Sequence, residues 1–221
     1  MALLSTANTK ILKGEKYGYK TYILHLAPSL ISGFQTCPKA SAGCAAACLN
    51  KAGMGAYSTT QQARINKTKL FFQDRPNFMA QLAKEIKSAK KSAAKAGLKL
   101  LVRLNGTSDI AWEKIRVGDY RNLFEMYPDV QFYDYTKLDK PWMRTRSNYH
   151  LTFSFSGENL SMAKQCLARG LNVAVVFDSD KFPTLWQRHK VVNGDTTDLR
   201  FLDPQGVIVG LKAKGTAKKL T

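Results

Sequence analysis

The stretch LKLLVRLNGTSD, residues 98–109, decides the fold class. Its first seven residues form an apolar run interrupted by one lysine and one arginine, and its last five are polar around Gly106. A short apolar run followed by turn residues is typical of a strand that is buried on both faces, and such strands occur mainly in parallel sheets. The stretch therefore predicts a buried strand that ends in a polar loop.

The same pattern recurs along the chain. Strand patterns alternate with helical patterns, and parallel strands need crossovers of about a dozen residues, which helices supply. Six such units predict an α/β fold, a partial (β/α)6 barrel in which polar side chains at the strand ends surround one cavity. The predicted strands are 17–26, 98–104, 130–135, 149–155, 173–177 and 207–211, and the predicted helices are two within 59–96 that divide near Arg75-Pro76, then 119–126 and 159–168.

Length and composition indicate one domain over residues 1–221, with a basic C-terminal tail. Hydrophobic residues make up 44% of the chain, enough for a packed core. No run approaches the ~20 apolar residues of a membrane helix, so we expect no membrane partner. The first thirty residues lack a signal-peptide pattern, which predicts a cytoplasmic protein with reduced cysteines.

The chain is strongly basic. Thirty-four Lys and Arg residues against sixteen Asp and Glu give a net charge of +18. Such an excess favours an anionic partner, a nucleotide or a nucleic acid. Many of the lysines also fit a solvated helix face and the tail at 212–219, so both interpretations stay open. The sequence does not indicate an oligomeric state.

Three cysteines crowd into CPKASAGCAAAC, residues 37–48, with the spacing C-x6-C-x3-C. The alanines favour a helix, which would place Cys44 and Cys48 one turn apart on the same face. With Cys37 from the preceding loop, three thiolates could converge on one metal, and we predict a [4Fe-4S] cluster with one open iron. Cys166 falls on the apolar side of a predicted helix and is expected to pack as a small hydrophobic side chain.

Two alternatives to the cluster remain. Three cysteines and one histidine make a standard structural zinc site, and His25 lies close to the end of the first predicted strand. The three cysteines could also be core residues without a metal. The corresponding alternative function is a non-catalytic basic module that binds nucleic acid or a host protein and carries a structural iron-sulfur or zinc centre.

The motif CPKASAGCAAACLNKAG, residues 37–53, resembles the phage gene product 88 family. The resemblance extends to RLNGTSDIAWE at 103–113, to YHLTFSFSGEN at 149–159, and to DTTDLRFLDP and GLKAKG at 195–204 and 210–215. It therefore covers most of the chain. It implies a bacteriophage gene, and hence a protein of the host cytoplasm, without implying a reaction.

A three-cysteine loop after the first strand of a six-unit partial barrel also resembles the radical S-adenosylmethionine enzymes. That resemblance implies a [4Fe-4S] cluster on Cys37, Cys44 and Cys48 whose open iron chelates S-adenosylmethionine, and a radical-type or redox reaction. The usual spacing in those enzymes is C-x3-C-x2-C, and their Gly-Gly-Glu at the second strand is replaced here by residues 105–109. Whether this chain is an enzyme stays open.

Polar residues at the predicted strand ends are candidates for binding such a cofactor. Its ammonium group calls for carboxylate, amide and hydroxyl oxygens. The same residue types are equally typical of turns and helix caps. The candidates are Asn105, Ser108 and Asp109 after the second strand, and Ser156 and Glu158 after the fourth.

Overall fold

The structure is a computed structural model that describes residues 1–6, 13–46, 48, 50, 53–179 and 181–213. The described residues form nine strands and five α-helices, joined by short 3-10 turns. The strands are β1 (Leu4–Ser5), β2 (Tyr19–Leu24), β3 (Lys99–Arg103), β4 (Gln131–Thr136), β5 (Tyr149–Ser154), β6 (Val173–Phe177), β7 (Leu185–Trp186), β8 (His189–Asn193) and β9 (Ile208–Lys212). The helices are α1 (Ala42–Ala46), α2 (Ser58–Gln73), α3 (Arg75–Lys95), α4 (Leu123–Met126) and α5 (Leu160–Ala168).

All nine strands belong to one sheet in the order β1-β2-β3-β4-β5-β6-β9-β8-β7. From β2 to β6 the strands lie side by side in chain order, and β9 follows β6, each parallel to its neighbour. The antiparallel strands β1 and β7 stand at the two edges, so the sheet is open. A mainly parallel α/β fold is confirmed, whereas closure toward a barrel is not.

The six predicted strands all form, within a few residues of the predicted bounds. The division between the two long helices also falls as predicted, because α2 ends at Gln73 and α3 begins at Arg75. Three strands were missed, β1, β7 and β8. Most of the predicted basic tail, residues 214–221, lies outside the described residues.

The helix-side core lies between α3 and the sheet. Phe78, Leu82 and Ile86 of α3 are fully buried and pack with Leu100 and Val102 of β3. These helix positions recur every three to four residues and these strand positions every second residue, so each element turns one apolar row toward the other.

The opposite face of the sheet is covered by the segment that precedes β9. Leu199 packs there with Leu101 and Tyr133, and the rings of Phe201 and Tyr19 meet edge to face at 5.1 Å. Both faces of the central strands are therefore buried, which explains why their sequences are nearly continuous apolar runs.

The carboxyl ends of β2 and β3 approach each other closely at Gly106. Its N–H donates to the carbonyl of Leu24 at 3.0 Å. A Cβ at this position would lie 2.5 Å from Nδ1 of His25 and 2.6 Å from Cγ2 of Ile23. Only glycine fits between these two strand ends without moving a neighbour.

Gly106→Ala is expected to lower the free energy of unfolding by about 1–3 kcal/mol, because the added methyl group overpacks this junction. The matched control is Gly43→Ala in α1, where the nearest atom to a Cβ is Oγ of Ser41 at 4.0 Å. Urea denaturation measures both variants. Equal stability of the two would contradict the close approach.

Candidate functional site

The four cysteines form no disulfide bonds. Cys37, Cys44 and Cys48 are half-buried in the connection between β2 and α2. Cys166 is fully buried on α5 in the core that contains Phe153. The prediction that Cys166 is a core residue is confirmed, and burial raises the pKa of its thiol to about 12.

Cys44 and Cys48 do not share a helix. Helix α1 contains Cys44 but ends at Ala46, so Cys48 lies beyond it. The predicted arrangement of these two thiols one turn apart on a common face is wrong. A five-residue helix is little more than one turn, and the high helix propensity of alanine does not extend so short a segment.

Cys37 joins the cysteine segment to the polar loop after β3. Its Sγ lies 3.8 Å from the carbonyl oxygen of Thr107, and its backbone N–H donates to Oε1 of Gln35 at 2.9 Å. Burial raises the pKa of the Cys37 thiol, and the negative charges of Asp109 and Cys48 raise it further. Cys37 and Cys48 therefore lie within electrostatic range of each other.

The donor set suits a soft metal, but its geometry is incomplete. Within the described residues, which include all four cysteines, no group of three His, Cys, Asp or Glu side chains is placed to hold a metal ion. Cys44 sits on α1 with its backbone N–H bonded to Oγ of Ser41 at 3.1 Å. The predicted three-cysteine centre stays a prediction, as does its zinc alternative with His25.

Asn105 organises the loop after β3. Its side-chain oxygen accepts hydrogen bonds from Oγ of Ser108 at 2.9 Å, from the N–H of Ile110 at 3.0 Å and from the indole of Trp112 at 3.0 Å. Its amide nitrogen donates to the carbonyl of Ile110 at 3.0 Å. The polar groups of Asn105 are thus engaged inside the loop, and Ser108 is buried beside them.

Asp109 ties this loop to the end of β4. Its carboxylate accepts from the hydroxyl of Thr136 and from the backbone N–H of Lys137, both at 2.7 Å. Burial raises the pKa of Asp109. The structure thus brings Asn105, Ser108 and Asp109 together in a turn network, and their binding of a cofactor stays a prediction.

Ser156 and Glu158 lie apart from that network. They follow β5, which is separated from β3 by β4. The backbone N–H of Ser156 donates to Oδ1 of Asn159 at 2.9 Å, and Glu158 is exposed next to Gly157, whose φ is +90°. One small ligand would have to span the end of β4 to contact both groups.

A buried charged network lies on the face of the sheet that is covered by the segment before β9. The sequence analysis did not predict it. Nη1 of Arg103 lies 3.2 Å from Oδ2 of Asp198, which also accepts the hydroxyl of Tyr133 at 2.8 Å. The Arg103 guanidinium stands 4.9 Å from the ring centre of Tyr135. Burial raises the pKa of both tyrosines. The only signal in the sequence is a single arginine inside the apolar run of residues 100–104.

Asp134 binds the backbone at the start of the polar loop that follows β3. It is fully buried on β4 and accepts from the N–H of Asn105 at 2.7 Å and from the hydroxyl of Tyr149 at 3.2 Å. Burial raises its pKa to about 7, although the positive charge of Arg103 opposes the shift.

Comparison with known protein families gives a match over almost the whole chain. The family model described as "Gene product 88" matches residues 2–221. Neither the curated proteins nor the solved structures contain a match to the chain. In the part of the chain that the structure describes, no helix is both long and apolar enough to cross a membrane.

The free energy of unfolding is expected to fall as the pH rises from about 4 to about 7, because folded Asp134 keeps a proton that the unfolded chain, with a pKa near 3.8, releases. The slope from this one group is at most about 1.4 kcal/mol per pH unit. Asp134→Asn should remove that component in urea titrations at several pH values. The exposed control Asp119→Asn should keep it; an unchanged slope in Asp134→Asn would refute the assignment.

Proposed function

We propose that this chain, which belongs to the gene product 88 family, holds an iron-sulfur cluster through Cys37, Cys44 and Cys48 at the carboxyl edge of its parallel sheet. The observation that carries the proposal is the position of Cys37. It lies against the loop after β3 and within electrostatic range of Cys48. Ligands of open parallel sheets bind in this place, outside the carboxyl ends of the strands.

The strand order supports the comparison with a partial (β/α)6 barrel. The strands β2, β3, β4, β5, β6 and β9 are adjacent in chain order and parallel, as the strands of a barrel sheet are. The segment with the cysteines leaves the first of these strands, and the loop of residues 105–109 leaves the second. A cluster on these cysteines would follow the first parallel strand, as the cluster of a radical S-adenosylmethionine enzyme does.

One cation, Arg64, lies near the cysteines. Burial lowers the pKa of Arg64 and Cys48 opposes that shift, so the two side chains lie within electrostatic range of each other. Thiolates are the ligands that iron-sulfur clusters prefer. A cluster with three protein ligands supplies one-electron chemistry at an open iron, where S-adenosylmethionine can bind.

The cluster is tested by anaerobic reconstitution with iron and sulfide, followed by metal and sulfide analysis. The wild-type protein is expected to bind iron and sulfide in equal amounts with a broad absorbance near ~400 nm. Cys37→Ala, Cys44→Ala and Cys48→Ala should each lose most of this iron. Cys166→Ala should keep it, because that thiol is buried on α5.

Zinc without sulfide, or iron content that is equal in all four variants, would refute the cluster. The cofactor is tested separately. The dithionite-reduced protein should cleave S-adenosylmethionine to methionine and 5′-deoxyadenosine, and Cys44→Ala should not. A reconstituted protein that holds the cluster but neither binds nor cleaves the cofactor would leave an iron-sulfur protein outside the radical class.

A second function, contact with nucleic acid, is favoured by one face of α3. Lys84, Lys87, Lys91 and Lys95 are exposed and lie within about 80° of one another around the helix. The only acidic residue of α3, Glu85, faces away and accepts the backbone N–H groups at the start of β1. Four cations along about 16 Å of helix match the spacing of a phosphate backbone.

The double variant Lys87→Gln/Lys91→Gln is expected to weaken duplex DNA binding and to reduce the slope of log K against log salt by about 1.8, since each phosphate contact contributes ~0.9. Lys164→Gln/Lys190→Gln removes the same charge from exposed positions on α5 and β8 and should leave the slope unchanged. Fluorescence anisotropy at several salt concentrations measures both. Equal slopes would mean that only net charge drives binding.

A further inference from the structure

Three buried nitrogen atoms near the end of β2 have no hydrogen-bond partner among the described residues. They are Nδ1 of His25, Nε of Arg64 and Nε of Arg103. Buried nitrogen groups in folded proteins are nearly always hydrogen-bonded to protein, water or ligand. Three such atoms in one region form a set of nitrogens that one polar ligand would satisfy.

The three side chains come from different elements that meet at this point. The pairing partner of Arg103 on β2 is Ile23, two residues before His25 and therefore on the same face of the sheet. Helix α2 is tied to the residues after β2, because the hydroxyl of its Thr68 accepts a hydrogen bond from the N–H of Ala27 at 2.8 Å. Thr68 lies one turn after Arg64, so α2 holds Arg64 beside the residues that follow β2.

The same groups interact electrostatically. Burial, and then the positive charges of Arg64, Arg103 and Lys67, lower the pKa of His25. These cations therefore lie within electrostatic range of His25, and their potential favours an anion there.

The positive charge of Arg64 is not balanced by a carboxylate. Arg64 is 9% exposed, and among the described residues it forms no ion pair with Asp or Glu. Its Nη1 donates to the neutral side chain of Asn50. Arg103, in contrast, is paired with Asp198. A buried guanidinium without a carboxylate partner is costly, and an anionic ligand would reduce that cost.

We propose that His25, Arg64 and Arg103 bind an oxyanion, the phosphate or carboxylate group of a small ligand, at the carboxyl end of β2. Guanidinium groups match the geometry of both anions and bind them with charge-assisted hydrogen bonds. Gly106 keeps the neighbouring backbone close to the imidazole. This site goes beyond the proposed function and does not depend on a metal.

The full-length protein is titrated with inorganic phosphate and, separately, with acetate, at constant ionic strength set with chloride, in an isothermal calorimeter. Whichever anion binds wild type more tightly is expected to bind Arg64→Met with at least about tenfold lower affinity, because the variant loses a charge-assisted contact. The matched control is Arg116→Met, which removes an exposed arginine and should bind within about twofold of wild type.

Stability measurements separate binding from folding. In chloride buffer Arg64→Met should unfold at the same urea concentration as wild type or a higher one, because it replaces a buried cation that has no carboxylate partner with an apolar side chain. Phosphate should raise the midpoint of wild type but not of Arg64→Met. A purely structural Arg64 would instead lower the midpoint equally in both buffers, and that result overturns the site.

The relative affinities identify the ligand. Preference for phosphate supports a phosphorylated ligand, and preference for acetate supports a carboxylate. If wild type binds neither anion, or if Arg64→Met and Arg116→Met bind equally, the proposal fails. The titrations use metal-free protein and are repeated after reconstitution with iron and sulfide, so a protein without iron can still support this site and an iron-loaded protein can still refute it.

Discussion

Parallel pairing of β2, β3 and β4 is the constraint from which the remaining features of this protein follow. Parallel neighbours must be joined by crossovers, so every strand enters the sheet at one end and leaves it at the other. The loops after successive strands therefore gather along a single edge. The thiol of Cys37, the amide network of Asn105 and the imidazole of His25 all lie along it because each follows the carboxyl end of a strand.

The strands and long helices could be predicted because their signals are local and periodic. The run at residues 100–104 is apolar enough to indicate burial on both faces, and α3 repeats its apolar side chains every three to four residues. The hairpin of β7 and β8 gave no such signal. Its turn is Gln187-Arg188, with both residues at positive φ, rather than the Asn-Gly or Asp-Gly that usually marks a two-residue hairpin.

The candidate site could likewise be predicted only where its sequence signals are local. Sequence spacing located the cysteine segment and the polar loop of residues 105–109, but it could not assign the contacts of either. The partner of Arg103 is Asp198, 95 residues away, and the partner of Asp109 is the end of β4. Such pairs arise only when distant segments pack together. The shared helix face of Cys44 and Cys48 failed for a related reason, because a single helical turn needs tertiary contacts to continue.

The carboxyl edge carries two features that differ from the apolar packing elsewhere in the sheet. One is the group of half-buried thiols, in which burial raises the pKa of Cys37 and so disfavours its thiolate form. The other is Arg64, a buried cation whose pKa is lowered by burial and supported by Cys48. A chain selected for stability alone would replace these groups with apolar side chains, as it does on the helix side of the sheet around Phe78. Thiolates bind soft metals preferentially, whereas a guanidinium beside an imidazole favours binding of an oxyanion. The two groups lie next to each other, since Cys48 acts on Arg64 and Arg64 acts on His25. A ligand with an anionic group would therefore be held at the end of β2 with its remainder directed toward the cysteines, where a metal centre would reach it.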